Sequence, residues 1–363
     1  MLVYNNDLIG PRQLRALLIM DIVGVGAFFL PQTVFAYSGV DSWISVIISL
    51  FIALIYGGLI GCVCEKGKND NFVELSVKAF GGFIGKIVAV IFYIKLIITG
   101  GLFLRAFSEI IKTNILDNSI LFISFIILAV CAYSCTITFQ QRGRLAELLL
   151  LFFIIPILLV FVVGCFNGEL HNIKPILTEG KLGTVKSGFY ASLYFMPLEF
   201  LLLSAEGLKN INVKRNTFYC IVFIGVVLCF VTLVLVMRFG ITDLKRQIFP
   251  VLEMIYTIEL PGAFIERLEA VVMIFLMLGM FFIIHSFLFY SNKLACNIVH
   301  IKTHWYTVLG STILIYFVSC IPKDVISSMD TLFTVLKYGG VAFMIILPIA
   351  LLLCLGGKRL EKN

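Results

Sequence analysis

Residues 21–31 read DIVGVGAFFLP and lie in the middle of the first apolar span of the chain. The two glycines of this stretch, Gly24 and Gly26, have no Cβ and tolerate torsion angles that other residues resist. An interrupted helix in a membrane leaves backbone groups that lipid cannot satisfy, so such breaks usually line a binding cavity. The stretch therefore predicts a first helix made of two halves. The sequence leaves open the alternative that the glycines only permit close helix packing.

The composition is that of a polytopic membrane protein. The chain has 363 residues, of which 60% are hydrophobic and 13% charged, and its mean hydropathy is +1.06. These values exclude an ordinary soluble domain, and we expect one membrane domain over residues 1–363 without a cleaved signal peptide. The net charge of +7 is attributed to basic cytoplasmic links rather than to nucleic-acid binding. The cysteines are scattered through apolar spans, so we expect no metal site, cofactor or disulfide framework.

Ten apolar segments are long enough to cross a bilayer, and we predict an all-α integral membrane fold with ten transmembrane helices. The segments cover residues 13–37, 42–64, 84–112, 119–137, 145–166, 185–206, 216–238, 264–292, 305–321 and 331–356. The distribution of Lys and Arg, including Arg142 in an inner link, places both termini in the cytoplasm. Ten spans divide into repeats of five, over about 13–166 and 185–356. An odd number of spans per repeat makes the second repeat inverted in the membrane.

An inverted repeat predicts a second broken helix at the sixth span. There, residues 194–199 read YFMPLE. Pro197 removes a backbone donor and kinks a helix, and the carboxylate of Glu199 follows two residues later. Interruptions in helices one and six indicate a small-molecule site near the middle of the membrane.

Several ionisable residues lie within the predicted spans, where each costs about 2.5–3.5 kcal/mol on insertion scales. Lys95 and Glu199 are both deep, so they either pair with each other or bind the charge of a ligand. Asp21, one turn before the glycines, either contacts a ligand or lies in a wet vestibule. Arg105 and Glu109 are four residues apart and are expected to form an interfacial pair on one helix face.

Seven short strings resemble, in order, the B subunit of bacterial spore germinant receptors, a branch of the amino acid–polyamine–organocation permease superfamily. They are GVGAFFLP (24–31), DSWI (41–44), LRAFSEII (104–111), RLAE (144–147), PLE (197–199), FPVLE (249–253) and GAFIERLE (262–269). The third and last strings are the most specific for the germination branch. The acidic residues of the last string also suit the N-terminus of a helix.

The resemblance implies a LeuT-like fold with a 5+5 inverted repeat and broken helices 1 and 6. It further implies an integral protein of the spore inner membrane, with an A subunit and a lipoprotein C subunit as partners. Its ligand would be a nutrient germinant, typically an amino acid, held between helices one, three, six and eight. Matched onto this chain, the ligand-binding positions are Gly24, Val25, Gly26, Ala27, Lys95, Thr99, Met196, Pro197, Glu199, Phe282 and Ile283. Two of them depart from the family's pattern, since Lys95 replaces an uncharged or aromatic residue and Pro197 replaces a glycine.

Two functions remain open at this point. A receptor would use the ligand's different affinities for two conformations to bias a complex with its partners. An amino-acid secondary transporter would use the same broken helices for alternating access. An enzyme is not expected, because the chain contains no HExxH, GxSxG or phosphate-binding glycine motif.

Overall fold

The computed structural model describes residues 8–67, 70–114, 118–166, 168–174, 180–208, 211–257, 268–301 and 305–360. Within these ranges the chain is almost entirely helical and has no β-strand. Residues 262–267, which carry most of the last family-like string, lie outside the described ranges. The side chain of Glu269 is likewise not described.

Fourteen α-helices follow one another in the described residues. They are α1 (Pro11–Ser38), α2 (Ser42–Lys66), α3 (Phe72–Phe80), α4 (Gly82–Asn114), α5 (Ile120–Ser134), α6 (Phe139–Phe166), α7 (Lys181–Ser192), α8 (Phe200–Ser204), α9 (Val213–Leu244), α10 (Pro250–Tyr256), α11 (Leu268–Val299), α12 (Trp305–Ser319), α13 (Val325–Val335) and α14 (Leu347–Leu360).

Seven helical segments in the described ranges are long and apolar enough to cross a membrane. The first of them, Pro11–Lys66, contains both α1 and α2, and each of the seven coincides with segments predicted from hydropathy. The helices α5 and α12 are apolar but shorter, with 15 residues each.

The links predicted to be polar contain two additional short helices, α3 and α10. Helix α3 begins with a capping box in which the side chain of Asn71 accepts a hydrogen bond from the Glu74 amide at 2.9 Å. The Glu74 carboxylate in turn accepts one from the Asn71 amide at 3.2 Å. This reciprocal cap stabilises a helix too short to form alone, and its apolar residues are buried against the bundle. Helix α10 begins with Pro250, whose fixed φ suits the first helical position.

The predicted break in the first helix is wrong, because α1 runs without interruption from Pro11 to Ser38. A Cβ added at Gly24 would lie 2.6 Å from the carbonyl oxygen of Gly279, and one at Gly26 would lie 2.9 Å from Cδ1 of Leu228. The two glycines therefore serve close packing against α11 and α9, the alternative that the sequence left open.

The interruption predicted around Pro197 is present. Helix α7 ends at Ser192, a 3₁₀ segment covers Leu193–Glu199, and α8 starts at Phe200. Because Pro197 cannot donate a backbone hydrogen bond, the tighter 3₁₀ winding replaces α-helical pairing here. All seven residues of the segment are buried.

A second irregular stretch packs against the 3₁₀ segment. Between α13 and α14 the backbone is π-helical over Leu336–Gly340 and again over Ala342–Ile346. A Cβ at Gly340 would lie 3.2 Å from Cδ2 of Leu193, so the two segments meet closely. Such π-helical insertions in α-helices are frequent at functional sites.

Candidate functional site

The ammonium of Lys95 on α4 donates a hydrogen bond to Oε1 of Glu199, the last residue of the 3₁₀ segment. Both side chains are shielded, with exposed fractions of 6% for Lys95 and 0% for Glu199. Each charge compensates the other's desolvation, and removing either one leaves the remaining charge uncompensated. The structure thus contains the ion pair that the sequence left open as one of two alternatives for these residues.

Lys95 also faces the irregular stretch between α13 and α14. Its Nζ lies 5.9 Å from the centre of the Phe343 ring, and its Cε would be 3.5 Å from a Cβ added at Gly339. The second carboxylate oxygen of Glu199, Oε2, is buried and has no hydrogen-bond partner among the described residues. Buried acceptors in proteins normally have a hydrogen-bond partner. Oε2 of Glu199 is therefore a strong acceptor that is available to a ligand beside the ion pair.

The other predicted residues of these two elements pack around the pair. The hydroxyl of Thr99 donates to the Lys95 carbonyl at 2.7 Å, one turn earlier on α4, so its hydrogen bond is made within its own helix. Met196 and Pro197 are buried in the 3₁₀ segment, where they set its backbone course.

The predicted residues of α1 and α11 are all buried, but they do not share one contact, since Gly24 faces α11 and Gly26 faces α9. Gly24, Val25, Gly26 and Ala27 are buried in α1, and Phe282 and Ile283 are buried in α11. The ring of Phe282 lies 5.2 Å from the guanidinium carbon of Arg142. Phe282 therefore belongs to a second buried charge cluster rather than to the Lys95–Glu199 pair.

This second cluster joins α1, α6 and α11. The hydroxyl of Ser286 on α11 donates to Oδ1 of Asp21 on α1 and accepts from Nη2 of Arg142 on α6. A direct Arg142–Asp21 ion pair spans 3.6 Å, and the Arg142 side chain is 0% exposed. Asp21 is thus held by a guanidinium and a hydroxyl within the bundle.

Three aromatic rings of α11 surround the Arg142 guanidinium. Its Cζ lies 5.2, 5.0 and 4.9 Å from the ring centres of Phe282, Phe289 and Tyr290. Cation–π contacts of this kind strengthen when the cation is shielded from water. They explain how an arginine can be accommodated in a packed interior beside a single carboxylate.

The prediction that Arg142 lies in a link between helices is wrong. Helix α6 begins at Phe139, six residues before the predicted start of the span at 145, and Arg142 is buried in its first turn. Hydropathy missed this turn because it contains Gln140, Gln141 and Arg142 and is followed by Arg144. An available sequence signal was the aromatic run of α11, which offers rings at helical spacing to a cation.

The predicted pair between Arg105 and Glu109 is confirmed, at 2.8 Å between Nη2 and Oε1. Both side chains are only 8% exposed, so the pair is buried within the protein. A bond of 3.1 Å from Arg105 to the Lys323 carbonyl ties α4 to the residues before α13.

Two cavities lie along the 181–208 segment that carries Glu199. A cavity of 240 Å³ opens near the end of α1, where the hydroxyls of Thr33 and Tyr194 are 2.7 Å apart. A cavity of 600 Å³ opens between the start of α6 and the end of α11 and is lined by Glu206 and Lys293, which pair at 2.8 Å. Along this segment, Glu199 lies between Tyr194, which lines the first cavity, and Glu206, which lines the second.

Residues 8–327 match the model of a family described as spore germination protein. The chain belongs to this family. It is 26% identical over 320 residues to spore germination protein YndE of Bacillus subtilis, and the matched region covers 86% of each chain. It is also 24% identical to spore germination protein KB of the same organism, over 77% of this chain and 75% of that one. Spore germination protein GerLB of Bacillus cereus is 22% identical over 98% of this chain and 96% of its own.

The fold matches that of solved transporters. A variant of the Eremococcus coleocola manganese transporter superimposes with a TM-score of 0.61 at 12% identity, over 95% of this chain and 77% of the other. The same transporter with an aromatic bis-isothiourea compound gives a TM-score of 0.58 at 13% identity, over 94% and 78%. These likenesses show a LeuT-like transporter fold, and with the apolar helices they establish a multi-pass membrane protein.

The described residues contain no group of three or more His, Cys, Asp or Glu side chains arranged to hold a metal ion. The site chemistry visible in this part of the chain is therefore that of buried ion pairs, hydroxyls and aromatic rings.

Proposed function

We propose that this chain is the nutrient-sensing subunit of a spore germination receptor, and that it binds an amino acid at the Lys95–Glu199 pair. The observation that carries the proposal is this buried ion pair with its one unpartnered carboxylate oxygen. Membership in the spore germination protein family supports the biological context. Binding would bias the subunit between two conformations and so signal to its partners.

An α-amino acid has the charges that can replace those of the pair. Its carboxylate can accept from the Lys95 ammonium while its own ammonium donates to Glu199. Both buried charges then stay compensated as the pair opens, which avoids the large cost of an isolated buried charge. A ligand with a single charge would leave one of the two residues without a partner. The site therefore favours a zwitterion over a neutral or singly charged molecule.

The proposed architecture is ten spans in two inverted repeats, over about 13–166 and 185–356. Helix lengths support it. Short helices α3 and α10 precede the third span of each half, and these third spans, α4 and α11, have 33 and 32 residues. The fourth spans, α5 and α12, have 15 residues each. The break at Pro197 begins the second half, both termini would be cytoplasmic, and the membrane would be the spore inner membrane.

The proposed partners are a membrane A subunit and a lipoprotein C subunit. The support is the set of relatives named spore germination proteins A2, KB and GerLB. The links 205–216 and 239–263 are the candidate docking surfaces. Residues 209–210 and 258–263 of these links lie outside the described part of the chain.

The second candidate function is amino-acid transport. It is favoured by the two cavities on either side of Glu199, which suit alternating access. The two functions differ in net movement of solute. Uptake of a radiolabelled amino acid into vesicles that contain the purified chain would support the transporter.

The test is nutrient-triggered release of dipicolinic acid from spores that carry Glu199→Gln, with the amount of protein in the spore membrane measured. We expect the germinant concentration for half-maximal response to rise by about tenfold or more, because a charge-assisted hydrogen bond to the ligand is lost. Glu147→Gln is the matched control, since Glu147 is exposed on α6 and lines neither cavity. An unchanged dose–response curve at normal protein level would reduce Glu199 to a structural role.

A second variant separates binding from folding. Lys95→Met combined with Glu199→Gln removes both charges and restores a neutral interior. We expect the double variant to reach normal levels in the spore membrane. Spores that carry it should not respond to nutrients but should still respond to a receptor-independent trigger. A normal nutrient response from the double variant would contradict the proposed site.

A further inference from the structure

Two cavities meet at Tyr219, near the start of α9 and on the outer surface of the helix bundle. The first has a volume of 330 Å³ and lies between α1, α6 and α9. Apart from Arg15 and Tyr219 its lining is almost wholly apolar, with Leu151, Ile155 and Phe223 among its side chains. The second has a volume of 630 Å³, lies between α2 and α9, and includes Arg215. Both cavities are lined by Tyr219 and adjoin at this residue, and we refer to the two together as the groove.

Two guanidinium groups lie at this groove, and both make their side-chain hydrogen bonds to uncharged groups. Nη1 of Arg15 donates to Oδ1 of Asn216 at 3.1 Å, and Nε of Arg215 donates to the hydroxyl of Tyr219 at 3.2 Å. Neither arginine makes an ion pair within the described residues. The neighbouring Lys214, by contrast, pairs with Glu65 at 3.0 Å. The groove therefore has unbalanced positive charge beside an apolar channel.

We propose that this groove binds an anionic phospholipid. The phosphate contacts the guanidinium groups of Arg15 and Arg215, and one acyl chain lies along the channel lined by Leu151, Ile155 and Phe223. Guanidinium groups match phosphate oxygens in geometry and charge, and basic residues at helix ends attract anionic headgroups. The apolar channel selects a lipid over a free phosphate ion, because a free ion would leave the channel empty.

The groove lies between α1 and α9, so a lipid bound there can stabilise the packing of these two helices. Arg15 belongs to α1, which also carries Asp21 and Gly24, while Arg215 and Tyr219 belong to α9. A phosphate held by both arginines links these two helices. A ligand that binds the folded protein and not the unfolded chain raises its apparent stability by RT ln(1 + L/Kd), where L is the free ligand concentration.

The experiment measures the thermal unfolding temperature of the purified full chain in a neutral detergent. Phosphatidylglycerol and phosphatidylcholine with the same acyl chains are added separately, and native mass spectrometry counts bound lipid. With phosphatidylglycerol we expect an unfolding temperature that rises with the logarithm of lipid concentration and a bound-lipid count that saturates. With phosphatidylcholine we expect a much smaller rise. Equal effects of the two lipids would overturn the proposal.

Two kinds of variant locate the effect. Arg15→Gln combined with Arg215→Gln should weaken phosphatidylglycerol binding by about tenfold or more. The control with the same change in net charge is Arg12→Gln combined with Arg246→Gln, at exposed positions outside both cavities. We expect the control to bind as the unmodified protein does. Equal binding by the two double variants would contradict headgroup recognition by Arg15 and Arg215.

The acyl channel is tested by Ile155→Trp, which fills the channel from an exposed position and leaves both arginines in the sequence. This variant should keep its unfolding temperature without lipid and lose the extra stability that phosphatidylglycerol confers. Inorganic phosphate serves as the probe for a free anion. If phosphate alone reproduces the stabilisation, or if Ile155→Trp retains it, the bound species is not a lipid in this channel.

Discussion

The backbone of α1 at Gly24 lies directly against the backbone of α11 at Gly279. A Cβ at Gly24 would be 2.6 Å from the carbonyl oxygen of Gly279, and a Cβ at Gly279 would be 3.1 Å from the α-carbon of Gly24. Neither obstacle is the flexible end of a side chain, so neither can move aside cheaply. This contact brings Asp21 on α1 within reach of Ser286 and Arg142.

Gly24→Ala should therefore destabilise the protein by about 1–3 kcal/mol, as overpacking of a closed interior does. Gly310→Ala is the matched control, because a Cβ at Gly310 on α12 meets nothing within 4 Å. The control should be neutral or stabilising by up to about 1 kcal/mol, since alanine favours helix more than glycine does. Thermal unfolding of both variants in detergent measures the difference, and equal unfolding temperatures would contradict the close contact.

Lys95 and Glu199 should show strong energetic coupling. Lys95→Met or Glu199→Gln alone leaves one buried charge without its partner and should cost about 3–5 kcal/mol. The combined variant should cost much less than the sum of the two. A double-mutant cycle on chemical unfolding yields the coupling energy. Additive costs would show that the two side chains do not form a buried pair in the membrane protein.

Arg142 should be far more sensitive to substitution than its neighbour Arg144. Arg142→Gln removes the charge that faces Asp21 and the three rings, with an expected cost of about 3–5 kcal/mol. Arg144→Gln changes an exposed residue two positions later and should stay within about 0.5 kcal/mol. The two unfolding free energies are compared in the same detergent. Similar values for both would indicate that Arg142 is solvated rather than enclosed.

Gly26→Trp tests the packing of α1 against α9. The nearest atom to a Cβ at Gly26 is Cδ1 of Leu228, the end of a flexible side chain. Gly26→Ala should consequently be tolerated, whereas the indole of Gly26→Trp should separate the helices and abolish nutrient-triggered release of dipicolinic acid. Protein level in the spore membrane is measured for both. A normal nutrient response from Gly26→Trp would contradict the close packing of α1 against Leu228 at this position.

Much of the candidate site could be predicted from the sequence, because it depends on the types of single residues and on their immediate neighbours. Pro197 removes a backbone donor wherever it stands, and the structure has a 3₁₀ segment there. The depth of Lys95 and Glu199 in apolar spans indicated that each needed a partner of opposite charge. The folded chain shows that the two residues pair with each other. Arg142 escaped notice because its partners come from α1 and α11, far away in sequence.

The positions of the apolar helices and the family resemblance were evident in the amino-acid sequence, because hydropathy over a window of residues and short motifs are properties of neighbouring positions. The role of the glycines in α1 was not evident there. A glycine lowers the cost of a helix break and of a close helix contact alike, so its role depends on what faces it in the folded chain. Here the backbone of α11 faces Gly24, and α1 is continuous through this contact.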